Sequence, residues 1–158
     1  MTLPAGNYDF GTWGLDWSTD PSAALSMVTR ADVGPFYNGT RRGGTSTITY
    51  RKGATLSTSL ILDYNDVRLN AGNFVREIIG TRVAYFFTPR VSLQSLMQYN
   101  KEAKTWTGNT RFAWLSTAGT GLFVVYNDGE TADGFFSWQA PQTRSLVVKY
   151  ARQFGREH

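Results

Sequence analysis

The sequence holds no cysteine, which removes disulfide frameworks, thiolate metal sites and cysteine nucleophiles, though it leaves the redox compartment open. Its single histidine is the last residue, His158, so histidine triads, histidine general bases and histidine metal sites have nothing to build on. No apolar run approaches the ~18 residues of a membrane-spanning helix, and the longest, such as Leu122 to Tyr126, are strand-sized. The opening Met1-Thr2-Leu3-Pro4-Ala5-Gly6 has neither a basic stretch nor an apolar one and does not read as a secretion signal. Charge is sparse as well, at 18% of residues against a usual ~25%. The net charge of +4 is scattered: only Arg41-Arg42 and Arg51-Lys52 are adjacent, and both read as turn positions beside glycines. No nucleic-acid partner is therefore expected.

What the chain does have is 15% aromatic residues and 16 glycines, a profile that suits a β protein. Its 158 residues predict one domain, residues 1–158. The dominant period is two, with almost no helical periodicity, and it divides into about nine strands. These run over about 7–18, 23–33, 44–51, 54–65, 74–87, 91–100, 105–116, 121–127 and 144–154. Asp20-Pro21-Ser22, Lys52-Gly53, Thr88-Pro89-Arg90 and Thr117-Ala118-Gly119-Thr120 read as tight turns. The stretches from Gly34, Asp66, Lys101 and Asp128 read as longer loops, giving the tight-then-long alternation of an up-and-down barrel with unequal rims.

Each strand splits into two faces. Leu56, Leu60, Leu62 and Tyr64 oppose Ser57, Ser59 and Asp63. Val75, Ile79, Val83, Tyr85 and Phe87 oppose Arg76, Gly80 and Arg82. Val91, Leu93, Met97 and Tyr99 oppose Ser92, Gln94, Gln98 and Asn100, and Trp106, Phe112 and Trp114 oppose Thr107, Asn109 and Arg111. In the last strand Leu146, Val148, Tyr150 and Phe154 oppose Ser145, Lys149 and Gln153. Period two alone does not separate a soluble barrel with an apolar interior from a membrane barrel with an apolar exterior. The polar lists lean to the second: they hold Ser, Thr, Asn, Gln, Gly and a few arginines, as a hydrated lumen does. Trp17, Tyr64, Phe87, Tyr99, Trp106, Tyr126 and Phe154 fall toward strand ends, where membrane interfaces favour aromatic rings. Glu77 falls on the apolar list and requires a place near a rim.

The runs Phe87-Thr88-Pro89-Arg90-Val91-Ser92-Leu93, Gln98-Tyr99-Asn100, Arg111-Phe112-Ala113-Trp114, Leu122-Phe123-Val124-Val125-Tyr126-Asn127 and Arg144-Ser145-Leu146-Val147-Val148-Lys149-Tyr150 carry a resemblance. So do Leu3-Pro4-Ala5-Gly6-Asn7-Tyr8-Asp9-Phe10 and Phe36-Tyr37-Asn38-Gly39-Thr40-Arg41-Arg42. Together they resemble the C-terminal β-barrel of a bacterial outer-membrane protein family of unknown function. Its full-length members carry an N-terminal domain similar to a family-nine carbohydrate-binding module. The resemblance implies an all-β, antiparallel up-and-down transmembrane barrel of about eight or nine strands, or the C-terminal segment of a larger one. It implies a non-catalytic membrane anchor or pore of a surface glycan-related protein in the bacterial outer membrane. The implied partners are outer-membrane lipid, the barrel assembly machinery, and missing strands of a longer chain or a second copy. Family members resemble one another in ending on an apolar strand with a terminal aromatic; here Arg152 interrupts that face and Gly155-Arg156-Glu157-His158 follow Phe154.

The candidate site is a ladder of polar-face residues, Arg76, Arg82, Gln94, Gln98, Asn109, Arg111 and Lys149, lining a lumen and selecting anionic or sugar-like solutes, or bonding across strands to fill a narrow barrel. No catalytic residue, cofactor or metal is expected. Asp128-Gly129-Glu130 with Asp133-Gly134 misses the twelve-residue calcium-loop spacing and reads as a solvated acidic loop. Asp63 and Asp66 would be an acid-base pair only if they converged, and one reads as strand, the other as loop. Asn38-Gly39-Thr40 reads as a turn, and Gly119 to Gly121 is too short and too poor in lysine for a phosphate loop. Phe135, Phe136 and Trp138 read as loop aromatics that fold inward or form a sticky surface. The alternative is a soluble lipocalin-like or streptavidin-like barrel around a hydrophobic ligand; a weaker one is a surface hydrolase using Asp63 or the carboxylates near Asp128.

Overall fold

Alternating side chains and turn chemistry produce a single sheet. The structure, a computed structural model, describes residues 11–116, 120–132, 134 and 141–152, with side chains in the last segment from residue 143. The strands are β1 (Trp13–Ser18), β2 (Leu25–Phe36), β3 (Gly39–Lys52), β4 (Leu56–Leu69), β5 (Gly72–Thr88), β6 (Val91–Asn100), β7 (Thr105–Leu115), β8 (Gly121–Thr131) and β9 (Pro141–Ala151). They form one nine-stranded sheet in sequence order, every neighbouring pair antiparallel. The described residues contain no helix. The up-and-down all-β architecture expected from the sequence is what is found, and the sheet is not closed: β1 and β9 are its two edges.

The sheet is sheared. A row of opposed residues that starts at Leu25, the first residue of β2, passes through Tyr50, Thr58, Val83, Ser95 and Thr110 and reaches Tyr126, well inside β8. Such stagger is the one that strand tilt in a barrel requires.

The turns form where the chemistry asks for them. Asp20 Oδ1 accepts from the Ser22 hydroxyl at 2.7 Å and from its backbone N–H at 2.8 Å, and these bonds hold the carboxyl below its ordinary range. Gly53 takes φ +56° in the β3–β4 turn, a conformation that costs glycine nothing.

The alternation of tight and long connections is not found. Tyr37 and Asn38 alone join β2 to β3, and residues 70–71 alone join β4 to β5. The stretches expected as loops from Gly34 and Asp66 are strand, and β8 runs on to Thr131 through Asp128 and Glu130. Arg41-Arg42 and Arg51-Lys52, expected in turns, lie in β3, each pair split between the two faces. The reason is common to all three: the strands continue past the apolar stretch into polar sequence, where hydrogen bonding goes on but the hydrophobic alternation stops. Arg152, expected to interrupt an apolar strand face, lies just after β9. Residues 7–10, Thr117 to Gly119, Asp133, Phe135, Phe136, Trp138 and Gln153 to His158 lie outside the described residues.

Candidate functional site: two unequal faces of one sheet

Opposed residues in an antiparallel ladder point to the same side, so the register assigns every paired strand residue to a face; Phe87, expected on the apolar face, falls at a register shift between Phe86 and Thr88 and has no opposed partner. One face carries Trp13, Leu15 and Trp17 of β1, Leu25 and Met27 of β2, and Ile48 and Tyr50 of β3. It continues with Leu56, Leu60, Leu62 and Tyr64 of β4 and Ile79, Val83 and Tyr85 of β5. The later strands add Leu93, Met97 and Tyr99, then Phe112 and Trp114, then Leu122, Val124 and Tyr126, and finally Leu146, Val148 and Tyr150. Among the described residues no second layer lies over this face. Leu60 and Leu62 in the middle of the sheet are each 39% exposed, and no large side chain among the described residues is fully buried. A soluble single-layer sheet of this size has no second layer to pay for its folding.

Charge on the apolar face is confined to the strand ends. Asp66 and Arg68 pair at 3.0 Å above Tyr64 in β4. Arg144 reaches Asp128 at 3.2 Å and Glu130 at 3.4 Å beyond Tyr126 and Leu146. Glu77, the acid on the apolar list, lies at this same rim opposite Tyr64, and Lys101 from the β6–β7 turn donates to its carboxylate at 2.5 Å. Lys52 stands at the opposite rim. Between the rims the face is aliphatic with interspersed hydroxyls, Thr29, Ser46, Thr58, Thr81, Ser95 and Thr110, of which Thr29 and Ser46, and Ser95 and Thr110, bond to each other at 3.0 Å. It is bordered by aromatic rings: Tyr64, Tyr99, Trp106 and Tyr126 toward one side, Tyr50, Tyr85, Trp114 and Tyr150 toward the other.

The Glu77 hydrogen bond and charge hold the Lys101 ammonium above its usual 10.5. A raised folded value stabilises wherever lysine is protonated in both states and loses that contribution as pH climbs through the folded value. Glu77→Gln is accordingly expected to lower stability at neutral pH, with its difference from the unaltered protein shrinking above pH ~10.5. Denaturant titrations across this range measure it.

The opposite face is polar and internally bonded. All seven ladder residues expected from the sequence, Arg76, Arg82, Gln94, Gln98, Asn109, Arg111 and Lys149, point to it. The structure brings some together and separates others. Gln94 stands opposite Arg111, whose guanidinium carbon lies 5.2 Å from the Phe123 ring centre. Arg111 and Lys149 line one hollow of about 320 Å³ floored by Phe123, Val125 and Val147. Asn109 belongs to an amide ladder, donating to Asn127 at 2.5 Å, which donates to Ser145 at 3.0 Å. Arg76 is held apart at the rim of β5 by Asp63 at 3.1 Å.

Sequence reasoning missed the polar network of the first strands. Asp16 meets Arg30 at 2.9 Å, and Arg41 meets Asp32 at 3.6 Å and donates to Asn65 at 2.9 Å. The signal was present, since Asp32 and Arg41 straddle a hairpin, but the span 34–43 reads as loop. In β2 to β4 this polar face is the sheltered one. Ser26 and Thr49 are buried and Ser59 half-buried, while Leu25, Tyr50, Leu60, Leu62 and Tyr64 on the other side are exposed. The face also carries the chain's charge imbalance. Arg30, Arg41, Arg51, Arg76, Arg82, Arg111 and Lys149 outnumber Asp16, Asp32 and Asp63, whereas acids and bases balance on the apolar face.

Comparison with protein-family models, curated proteins and solved structures found no match. The site is read from its own chemistry.

Asp63 and Asp66 both lie in β4 and point to opposite faces, Asp63 to Arg76 and Asp66 to Arg68, so they do not converge. Asp128 and Glu130, expected in an acidic loop, are strand residues that share one guanidinium, that of Arg144. No group of three potential metal ligands occurs among the described residues.

Proposed function

We propose that this chain is a non-catalytic segment of an outer-membrane β-barrel, an anchor or pore, with its apolar face against lipid and its polar face lining a hydrated interior. The observation that carries the reading is the vertical order of the apolar face: aliphatic side chains and uncharged hydroxyls in the middle, aromatic rings at its borders, and charges only at the level of those rings or beyond them. Water as the solvent on that side gives no reason for this order, whereas a bilayer does. The resemblance of the C-terminal runs to the barrel of an outer-membrane family associated with glycan binding supports the same location and a role at the cell surface. Outer-membrane lipid and the barrel assembly machinery are its partners in this reading. The excess of arginine and lysine on the polar face favours anionic solutes over cationic ones.

A soluble barrel around a hydrophobic ligand needs an apolar interior. The face with the apolar residues is instead the exposed one in β2 to β4. Refolding from urea separates the two. In detergent micelles or lipid vesicles a monodisperse β-rich protein is expected, and in plain buffer aggregation. A monodisperse β protein in buffer alone overturns the membrane reading.

A further inference from the structure

The edges β1 and β9 carry a directional constraint. In a sheet where all neighbours are antiparallel, odd-numbered strands run one way, so β1 and β9 point in the same direction. Three ways of satisfying the free edges compete: the sheet closes on itself, a second copy completes it, or strands come from elsewhere. Self-closure would put β1 beside β9 as a parallel pair. A second copy inserted with the same orientation would put β9 of one beside β1 of the other, again a parallel pair at both seams. Neither continues the antiparallel ladder that every other pair in the sheet obeys.

We infer that β1 and β9 are a docking interface for an odd number of further strands, the outermost of which run opposite to both edges. This rests on the membrane reading, because in hydrocarbon unpaired edge N–H and C=O groups are not solvated and must find partners. The chemistry of the completing segment follows from the edges it meets. On one side it continues the apolar surface of Leu15, Trp17, Leu146 and Val148; on the other it presents polar residues to Asp16, Ser145 and Lys149. It is a two-faced β segment with the same alternation as this chain. Even strand totals, the rule in single-chain bacterial barrels, result from adding an odd number to nine.

The test uses the full chain in lipid vesicles and reads amide hydrogen exchange strand by strand. In the unmodified chain, β1 and β9 are expected to exchange at least about tenfold faster than β4 and β5, reflecting open edges. A variant carrying a copy of Gly121–Thr131 behind residue 158 supplies one antiparallel strand; slowing of exchange in both β1 and β9 is expected. A variant with a copy of residues 121–151, two added strands, restores the same-direction edges and is expected to leave β1 exposed. Edges of the unmodified chain protected like β4 overturn the inference. The absence of cysteine then identifies the seam by disulfide trapping in a Leu15→Cys, Val148→Cys variant: within one chain for self-closure, between chains for a second copy. Equal protection in the one-strand and two-strand variants also overturns it. A chain that folds in buffer without lipid fails the membrane reading instead, a separate outcome.

Discussion

Leu60→Arg is expected to destabilise the folded protein in lipid vesicles by about 2–4 kcal/mol, roughly a thirty- to thousand-fold loss in the folding equilibrium. Leu60 sits in the middle of β4 on the apolar face, opposite Ile48 and Thr81, with Leu56 and Tyr64 marking the two borders of the hydrocarbon stretch on that strand. A guanidinium there has no carboxylate in reach, because the acids of this face are gathered at the strand ends. The companion Tyr64→Arg puts the same charge at the border beside the Asp66–Arg68 pair and is expected to cost only about 0–1 kcal/mol. The gradient between the two decides the solvent. A dry protein interior would penalise both positions heavily, whereas a bilayer penalises depth. Chemical denaturation of each variant in vesicles, followed by tryptophan fluorescence, measures the difference.

Gly39→Ala is expected to cost about 1–3 kcal/mol in the same assay, with the damage concentrated at one rim. Gly39 begins β3 immediately after the Tyr37-Asn38 turn, and a Cβ there would lie 1.8 Å from the carbonyl oxygen of Arg68 in β4. The obstacle is backbone, so no side-chain rotation relieves it; the hairpin must shift away from β4 and loosen the ladder between Thr40 and Arg68. Gly108→Ala is the control. Its nearest neighbour would be the Asp128 Cβ at 3.9 Å, ordinary contact, and the expected change is small. Faster hydrogen exchange confined to residues near 37–42 and 66–70 in the Gly39 variant would locate the effect.

The middles of the strands were legible because period two is strongest where one face is apolar and the other polar. Leu56 to Tyr64 and Val91 to Tyr99 alternate at most positions, with Thr58, Ile61, Ser95 and Leu96 against the pattern, and the β4–β5 and β6–β7 ladders run without a slip. The ends were not legible. Asp66, Arg68, Asp128 and Glu130 read as loop because acids and arginines are poor strand formers, yet they extend β4 and β8 by continuing the ladder and pairing across it. Gly34-Pro35 misled for the same reason: both punctuate turns in most sequences, but here they precede a tight hairpin inside β2. The polar-face ladder was legible as a set, since side-chain parity alone assigns it. Which members share a hollow was not, because Arg111 and Lys149 meet only through the pairing of β7 with β8 and of β8 with β9.

The distance between the two aromatic borders has a consequence for where this chain is comfortable. From Trp106 to Trp114 along β7 the strand rises about 26 Å, which a barrel's usual tilt reduces to roughly 20 Å of vertical height. That figure matches a thin membrane better than a sterol-thickened one. If the proposed membrane reading holds, the tyrosines and tryptophans act as a caliper, and the lipid's acyl length, as much as its headgroup, sets how well the protein is seated.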